Sequence, residues 1–207
     1  MKRILCFGDS NTWGHNPIDC SRLERRWTVI LNERLRNFEV VEDGTCGRAT
    51  VFGEIDEAGH NGIASFRRRY LQEDNRFELV VIMLGTNDFL KENHASPEEV
   101  GEALRIYVRE YRMQFGERTR FLLVSPILIR FEMCSHPIFS ELYDEQSIVS
   151  SQEAASVIAK VADEEHADFL DAAQYAVASV EDGVHMDMAE HEKMAMAMEQ
   201  KINNIFG

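Results

Sequence analysis

The sequence is short of cysteine, proline and positive charge, and each shortage closes off a class of protein. Its four cysteines, Cys6, Cys20, Cys46 and Cys134, are scattered without paired spacing. Neither a zinc knuckle nor a disulfide framework is written there, and reduced thiols in the cytoplasm are expected. With four prolines and no Pro/Gly/Ser-rich tract, nothing reads as a linker, and the 207 residues are expected to form one domain. Lysine and arginine number 22 against 36 acids, a formal charge of −14. A surface of that sign repels the phosphates of nucleic acid and the anionic face of a membrane, so neither is expected as a partner. The basic runs Arg25-Arg26 and Arg67-Arg68-Arg69 fall in segments of helical periodicity and read as solvated or salt-bridged faces. No apolar run is long enough to span a bilayer. The apolar stretch behind Met1-Lys2-Arg3 stops at Gly8-Asp9, too soon for a secretion signal.

What the chain does have is 44% hydrophobic residues, enough for a sizeable core without metals or crosslinks. Short runs of Val, Ile, Leu and Phe recur between longer segments of helical periodicity, the pattern of strands alternating with helices around a parallel sheet. Strands are expected at residues 3–7, 38–42, 79–84, 121–125 and 168–170. The third and fourth are apolar almost throughout and should be central, covered on both faces. Helical stripes run through Leu23, Trp27, Ile30, Leu31 and Leu35, through Val100, Leu104, Val108 and Tyr111, and through Ile148, Ala155, Ile158 and Ala162. A last helix begins after Asp187 with Met194, Met198, Ile202 and Ile205 on one face, a methionine stripe that reads as adaptable core. Ser96-Pro97-Glu98-Glu99 is a helix start, with a capping serine, a proline and acids at the positive end of the dipole. Of the two long connections, 52–62 and 126–145, the second is unusually apolar and is expected to wall a ligand crevice, Ile127 included.

The residues that carry chemistry sit at strand ends. The first strand runs into Gly8-Asp9-Ser10-Asn11-Thr12-Trp13-Gly14, which puts the Ser10 hydroxyl at the carboxyl edge of the sheet. The third ends in Gly85-Thr86-Asn87-Asp88, where the Asn87 amide can donate to a developing oxyanion. After the second, Gly47 lets the backbone approach a ligand and offer its N–H. Near the far end, Asp182-Gly183-Val184-His185 places a carboxylate three residues before an imidazole. A serine needs an adjacent base, and the base needs a group that fixes its tautomer and steadies its cation. Taken singly, each motif has an ordinary reading as a turn, an Asx turn or a helix cap. Two rivals stand beside the hydrolase reading. His185, Asp187, His191 and Glu192 are metal-ligand types, but their spacing matches no zinc helix motif. A non-enzymatic flavin or nucleotide module would use the same kind of sheet, but no Gly-x-Gly-x-x-Gly or Walker loop follows the first strand.

In that order along the chain, Gly-Asp-Ser, the glycine after the second strand, Gly-x-Asn-Asp and the late Asp-x-x-His resemble the SGNH (GDSL-like) hydrolase family. Within it the sequence is similar to the bacterial arylesterase and acyltransferase-like branch, through KRILCFGDSNTWG at 2–14, Arg26-Trp27-Thr28 and VIMLGTND at 81–88. The resemblance implies a three-layer α/β/α sandwich of flavodoxin-like kind with a mostly parallel five-stranded sheet. It implies Ser10 as nucleophile, His185 as base, Asp182 as its partner, and the N–H groups of Ser10 and Gly47 with the Asn87 amide as an oxyanion hole. It implies a small carboxylic ester as substrate, with acyl transfer to alcohols or carbohydrate O-deacetylation as variants, and neither metal nor organic cofactor. Self-association as a homo-oligomer also belongs to that branch. The substrate pocket is expected at Asp9, Asn11, Trp13, His15 and Ile127. Asn11 stands where the common pattern has leucine, a position expected to carry no chemistry. His15 stands where the branch often has a large aromatic, which makes that wall polar, and Cys46 reads as a small packing residue.

Overall fold

Strands with apolar side chains on both faces demand helices on both faces. The computed structural model, which describes residues 2–72 and 75–207, meets that demand. Strands β1 (Lys2–Gly8), β2 (Phe38–Gly44), β3 (Leu79–Met83), β4 (Arg120–Ser125) and β5 (Asp168–Asp171) form one parallel sheet in the order β2-β1-β3-β4-β5. Around it lie α1 (Ser10–Trp13), α2 (Trp27–Arg34), α3 (Gly62–Tyr70), α4 (Pro97–Phe115), α5 (Phe139–Leu142), α6 (Glu145–Glu164) and α7 (Met188–Phe206). Every strand begins and ends within two residues of its expected range.

The pleat divides the core in two. Leu5, Phe7, Val80, Ile82 and Leu123 face one side and pack with Phe66 of α3, Leu104 and Tyr107 of α4 and Ile158 of α6. Ile4, Cys6, Val81, Met83 and Val124 face the other, beneath Trp27 and Leu31 of α2 and Met194, Met198 and Ile202 of α7. The methionine stripe is therefore core, as read. Helix α4 starts at Pro97 with a complete Ser96–Glu99 capping box. Two stripes need correction. Leu23 lies outside α2, because Arg26 is held extended at its N-cap position by a two-point contact with Glu42 at 2.6 and 2.9 Å. On α6 the buried position is Ala154 rather than Ala155, so the stripe turns slightly along the helix.

The strand order places a topological switch between β1 and β3, and at such a point the connections leave in opposite directions and open a crevice at the carboxyl edge. One side chain holds that edge together. Arg48, fully buried, donates to the carbonyls of Gly8 at 3.0 Å, Asp43 at 2.7 Å and Gly59 at 2.9 Å. It also bonds the Asp43 carboxylate at 2.9 Å and the Thr45 hydroxyl at 2.7 Å, over the face of Phe7. Burial alone would raise the Asp43 carboxyl, but the Arg48 charge and hydrogen bonds from Tyr70 and Arg48 hold it below its ordinary value.

On the opposite face the first N–H of α2, at Trp27, has no side-chain cap of its own. The buried His191 of α7 supplies one, its Nδ1 accepting from Trp27 N at 3.3 Å. Burial pushes the His191 imidazole down to about 4, which keeps the ring neutral and able to accept.

Two outcomes are expected. Arg48→Ala leaves the buried Asp43 carboxylate with Arg69 and Tyr70 as its side-chain donors and takes the donor from several carbonyls, and it should cost about 3–5 kcal/mol in urea unfolding; a loss below about 1 kcal/mol would contradict this role. For His191, the unfolded chain binds a proton between its ordinary pKa and about 4 while the folded chain does not, so wild-type stability falls as pH drops through that window. His191→Gln lacks that term, and on going from pH 7 to about 4.5 it should gain up to about 2–3 kcal/mol relative to wild type. A stability difference that does not change with pH would mean that His191 is not held neutral.

Candidate active site

Strand β1 ends at Gly8, and the chain turns at once into the single turn α1 with Asp9 as its N-cap, the carboxylate accepting from Asn11 N at 2.9 Å. Ser10 thus stands at the head of α1, beside the switch point and only 4% exposed. From the far end of the sequence His185 meets it, Nε2 lying 2.8 Å from Ser10 Oγ. On the other side of the ring, His185 Nδ1 lies 2.7 Å from Asp182 Oδ2.

The three-residue spacing works because the Asp182 carboxylate serves two purposes. Its Oδ1 accepts from Val184 N at 2.8 Å and His185 N at 2.9 Å, folding the loop around itself, while Oδ2 is left for the ring. Gly183 makes the fold-back possible, with φ +73 in the left-handed region. A Cβ there would lie 2.4 Å from Met133 N, so the loop also packs backbone to backbone against the 126–145 segment. Burial tends to raise the Asp182 carboxyl, but the hydrogen bond and charge of His185 and the two backbone donors hold it below the ordinary carboxylate value. An ionised Asp182 makes Nδ1 the donor and leaves Nε2 to accept the serine proton.

The opposite wall is built on Arg48. Its neighbour Gly47 adopts φ +79. The Asn87 amide, just beyond β3, donates to the Arg48 carbonyl at 3.0 Å and its oxygen accepts from the Tyr143 hydroxyl at 3.3 Å. With one amide hydrogen used and the plane fixed from both ends, the second hydrogen remains for a ligand. The adjacent Asp88 receives Thr50 N at 3.0 Å on each oxygen; burial nevertheless pushes it up to about 6. Burial likewise brings Asp9 to about 6, opposed by Asn11 N–H and the nearby His185.

Aromatic rings frame the imidazole. The His15 ring lies 4.1 Å from His185 at 34°, and Phe139 lies 5.3 Å away at 60°. Burial, and then the charge of His185, push His15 down to about 4. Trp13 follows at 6.4 Å from His15. A second pair, Asp56 and His60 joined at 2.5 Å, stands across from Gly47, where an added Cβ would come within 3.3 Å of the His60 ring.

The expected pocket residues therefore part company. Trp13 and His15 lie along the rim, and Asp9 and Asn11 turn inward with their polar groups bonded to the backbone. Ile127 is reassigned from the crevice wall to the core with Met83 and Val124, since the segment dives inward after β4 before it returns to the surface. Burial and then Asp9 push the Cys46 thiol up to about 11, which keeps it protonated and unreactive, in keeping with a packing role. The residues weighed as metal ligands do not converge: Asp187 caps α7, His191 bonds Trp27 and Glu192 is exposed. Among the described residues, the cluster of ligand-type side chains is His15 with Asp182 and His185. Sequence reasoning missed Arg48, Tyr143 and His60. Arg48 alone carried a signal, a cation following a glycine at a strand end; Tyr143 lies 56 residues from the amide it orients.

The sequence profile of the GDSL-like lipase/acylhydrolase family matches residues 6–193. No curated protein matches the chain in sequence. Among solved structures, a carbohydrate acetylesterase family member from Sinorhizobium meliloti is similar with a TM-score of 0.88 and 25% identity over 99% of both chains. The native aryl esterase of M. smegmatis is similar with a TM-score of 0.87 and 28% identity, again over 99% of both. A lipase/acylhydrolase from Enterococcus faecalis, at 17% identity, shares the fold with a TM-score of 0.73, over 99% of this chain and 97% of that one. The matched stretch runs from inside β1 into α7 and so takes in every strand of the sheet: the protein belongs to the GDSL-like lipase/acylhydrolase family.

Proposed function

We propose that the protein hydrolyses small carboxylic esters, of aryl or short-chain acyl type, through an acyl-enzyme on Ser10. The observation that carries this reading is the unbroken hydrogen-bonded line from Ser10 Oγ through His185 to Asp182, at 2.8 and 2.7 Å. As Oγ attacks the ester carbonyl, His185 Nε2 takes its proton, and the carboxylate of Asp182 steadies the imidazolium. The oxyanion is met by the N–H groups of Ser10 and Gly47 and by the second hydrogen of the Asn87 amide. When the intermediate collapses, the C–O bond to the alcohol breaks and His185 returns the proton to the departing oxygen. Water, deprotonated by the same nitrogen, then attacks the acyl carbonyl and frees Ser10. An alcohol in place of that water would make the cycle an acyl transfer.

A second reading, deacetylation of a carbohydrate, has one specific support: the rim beside His185 carries the polar His15 where a large aromatic would favour apolar groups. Among the described residues no helix is long and apolar enough to cross a membrane. Together with four free cysteines, this supports the cytoplasm as the working compartment.

With p-nitrophenyl acetate and butyrate, wild type should turn over with a burst and carry an acyl adduct on Ser10 by mass spectrometry, and Ser10→Ala should do neither. Asn87→Ala should lower kcat about a hundredfold to a thousandfold. Equal activity of wild type and Ser10→Ala would remove the assigned nucleophile, and faster release of acetate from acetylated sugars than from the aryl esters would favour the second reading.

A further inference from the structure

The residue after the nucleophile, expected to carry no chemistry, is bonded to the loop that carries the base. Asn11 is 3% exposed. Its Nδ2 donates to the carbonyl of Val184 at 3.3 Å, and its Oδ1 accepts from the N–H of Met186 at 3.0 Å. These two groups flank His185, so one side-chain amide grips the base from both sides across 173 and 175 residues of sequence.

The rest of the loop's backbone is bonded without help from α1: the Gly183 carbonyl accepts from Arg130 N at 2.8 Å, across to the 126–145 segment. Val184 N and His185 N go to Asp182, and the His185 carbonyl accepts from Ser179 N at 2.8 Å. Those bonds shape the loop and dock it on the 126–145 segment, but none of them ties it to α1. Asn11 does, because it is itself held on its other side: its N–H bonds Asp9 and its carbonyl accepts from Trp27 Nε1 at 3.1 Å. Besides the Ser10–His185 bond itself, the direct hydrogen bonds between α1 and this loop among the described residues are the two made by the Asn11 side chain. A leucine at this position could fill the space but would leave the Val184 carbonyl and the Met186 N–H, at two buried residues, without these partners.

We propose that Asn11 is a positioning residue that sets the Ser10 to His185 distance by clamping Val184 and Met186. The proposal rests on the reading of Ser10 and His185 as nucleophile and base. Asn11 touches no reacting atom, so its loss should spare substrate binding and slow the step in which the proton moves. Misplacement of a catalytic group by about 1 Å costs on the order of a hundredfold.

The test compares Asn11→Leu, which keeps volume and removes both bonds, with Asn11→Asp, which keeps the acceptor for Met186 N–H and removes the donor to Val184. With p-nitrophenyl acetate, Asn11→Leu should lower kcat by about tenfold to a hundredfold with KM changed less than about twofold, and the burst of p-nitrophenol should slow equally. Asn11→Asp should fall between Asn11→Leu and wild type. By proton NMR, the low-field His185 Nδ1–H resonance should shift or broaden in Asn11→Leu while the fold's methyl spectrum is retained. Wild-type kcat in both variants, or a rise in KM with kcat unchanged, would overturn the proposal, the second result marking Asn11 as a substrate contact. If Asn11→Leu does not fold, Asn11→Asp decides alone, with wild-type kcat counting against the clamp. Ser10→Ala run in parallel separates the failures: if it is as active as wild type, the nucleophile is wrong, whereas an inactive Ser10→Ala beside fully active Asn11 variants condemns only the clamp.

Discussion

A guanidinium removed from water is tolerated only where its donors are taken up by acceptors, and the carboxyl edge of this sheet is arranged around one that is. Arg48 reaches the end of β1 at Gly8, the end of β2 at Asp43 and the following loop at Gly59, while its own carbonyl receives the Asn87 amide from beyond β3. Three successive crossings of the chain are thereby fixed to one planar group. Its fork geometry matters, since a lysine ammonium could not meet carbonyls in three directions from one plane. The backbone at Gly47 and the amide of Asn87, which in the proposed cycle receive the oxyanion, are oriented by the two ends of the same residue pair.

The other half of the site is organised by two amide-and-carboxylate devices rather than by a large buried cation. Asp182 shapes its own loop with one oxygen and orients His185 with the other. Asn11 then joins that loop to α1. Local bonds define the shape of the piece, and long-range bonds define its place. Catalytic geometry needs both, because a well-formed dyad displaced by about 1 Å from its place beside the serine hydroxyl takes the proton on the order of a hundredfold more slowly.

The same division explains what could be read from the sequence. Strands β3 and β4, buried on both faces, announce themselves as continuous apolar runs, and the Met194, Met198, Ile202 stripe of α7 follows from helical spacing alone. Ser10 and Asn87 were legible because strand ends in a parallel sheet converge on one edge, so chemistry-bearing residues found there are neighbours by topology, whereas Asp182 and His185, in the loop before α7, were legible through their three-residue spacing and the resemblance of the whole motif order. Tyr143 and the bonding of Asn11 were not, because each depends on a partner 56 to 175 residues away that no periodicity encodes, and the burial of Arg48 was not, because a cation after a glycine reads as exposed until the chain has folded over it. Ile127 was misplaced for a related reason: an apolar residue in a long connection looks the same in sequence whether the connection lines a crevice or dips into the core. The shift from Ala155 to Ala154 and the exclusion of Leu23 from α2 reflect tertiary contacts that rotate a stripe or hold its first residue extended.

The electrostatics of the imidazole cluster bear on why a histidine can stand beside the base at all. Two rings with centroids 4.1 Å apart would repel strongly if both were charged, by about 4 kcal/mol at an effective dielectric constant of 20. In the proposed cycle His185 becomes a cation at every attack, so a His15 that protonated near its ordinary value would oppose the reaction across the mildly acidic range. Burial pushes His15 down to about 4, so the ring stays neutral across the mildly acidic range. A neutral His15 packs against the forming imidazolium as a polarisable ring and offers it no competing charge. A neutral imidazole thus costs His185 nothing in charge, and its polarity is felt by whatever molecule rests against the rim.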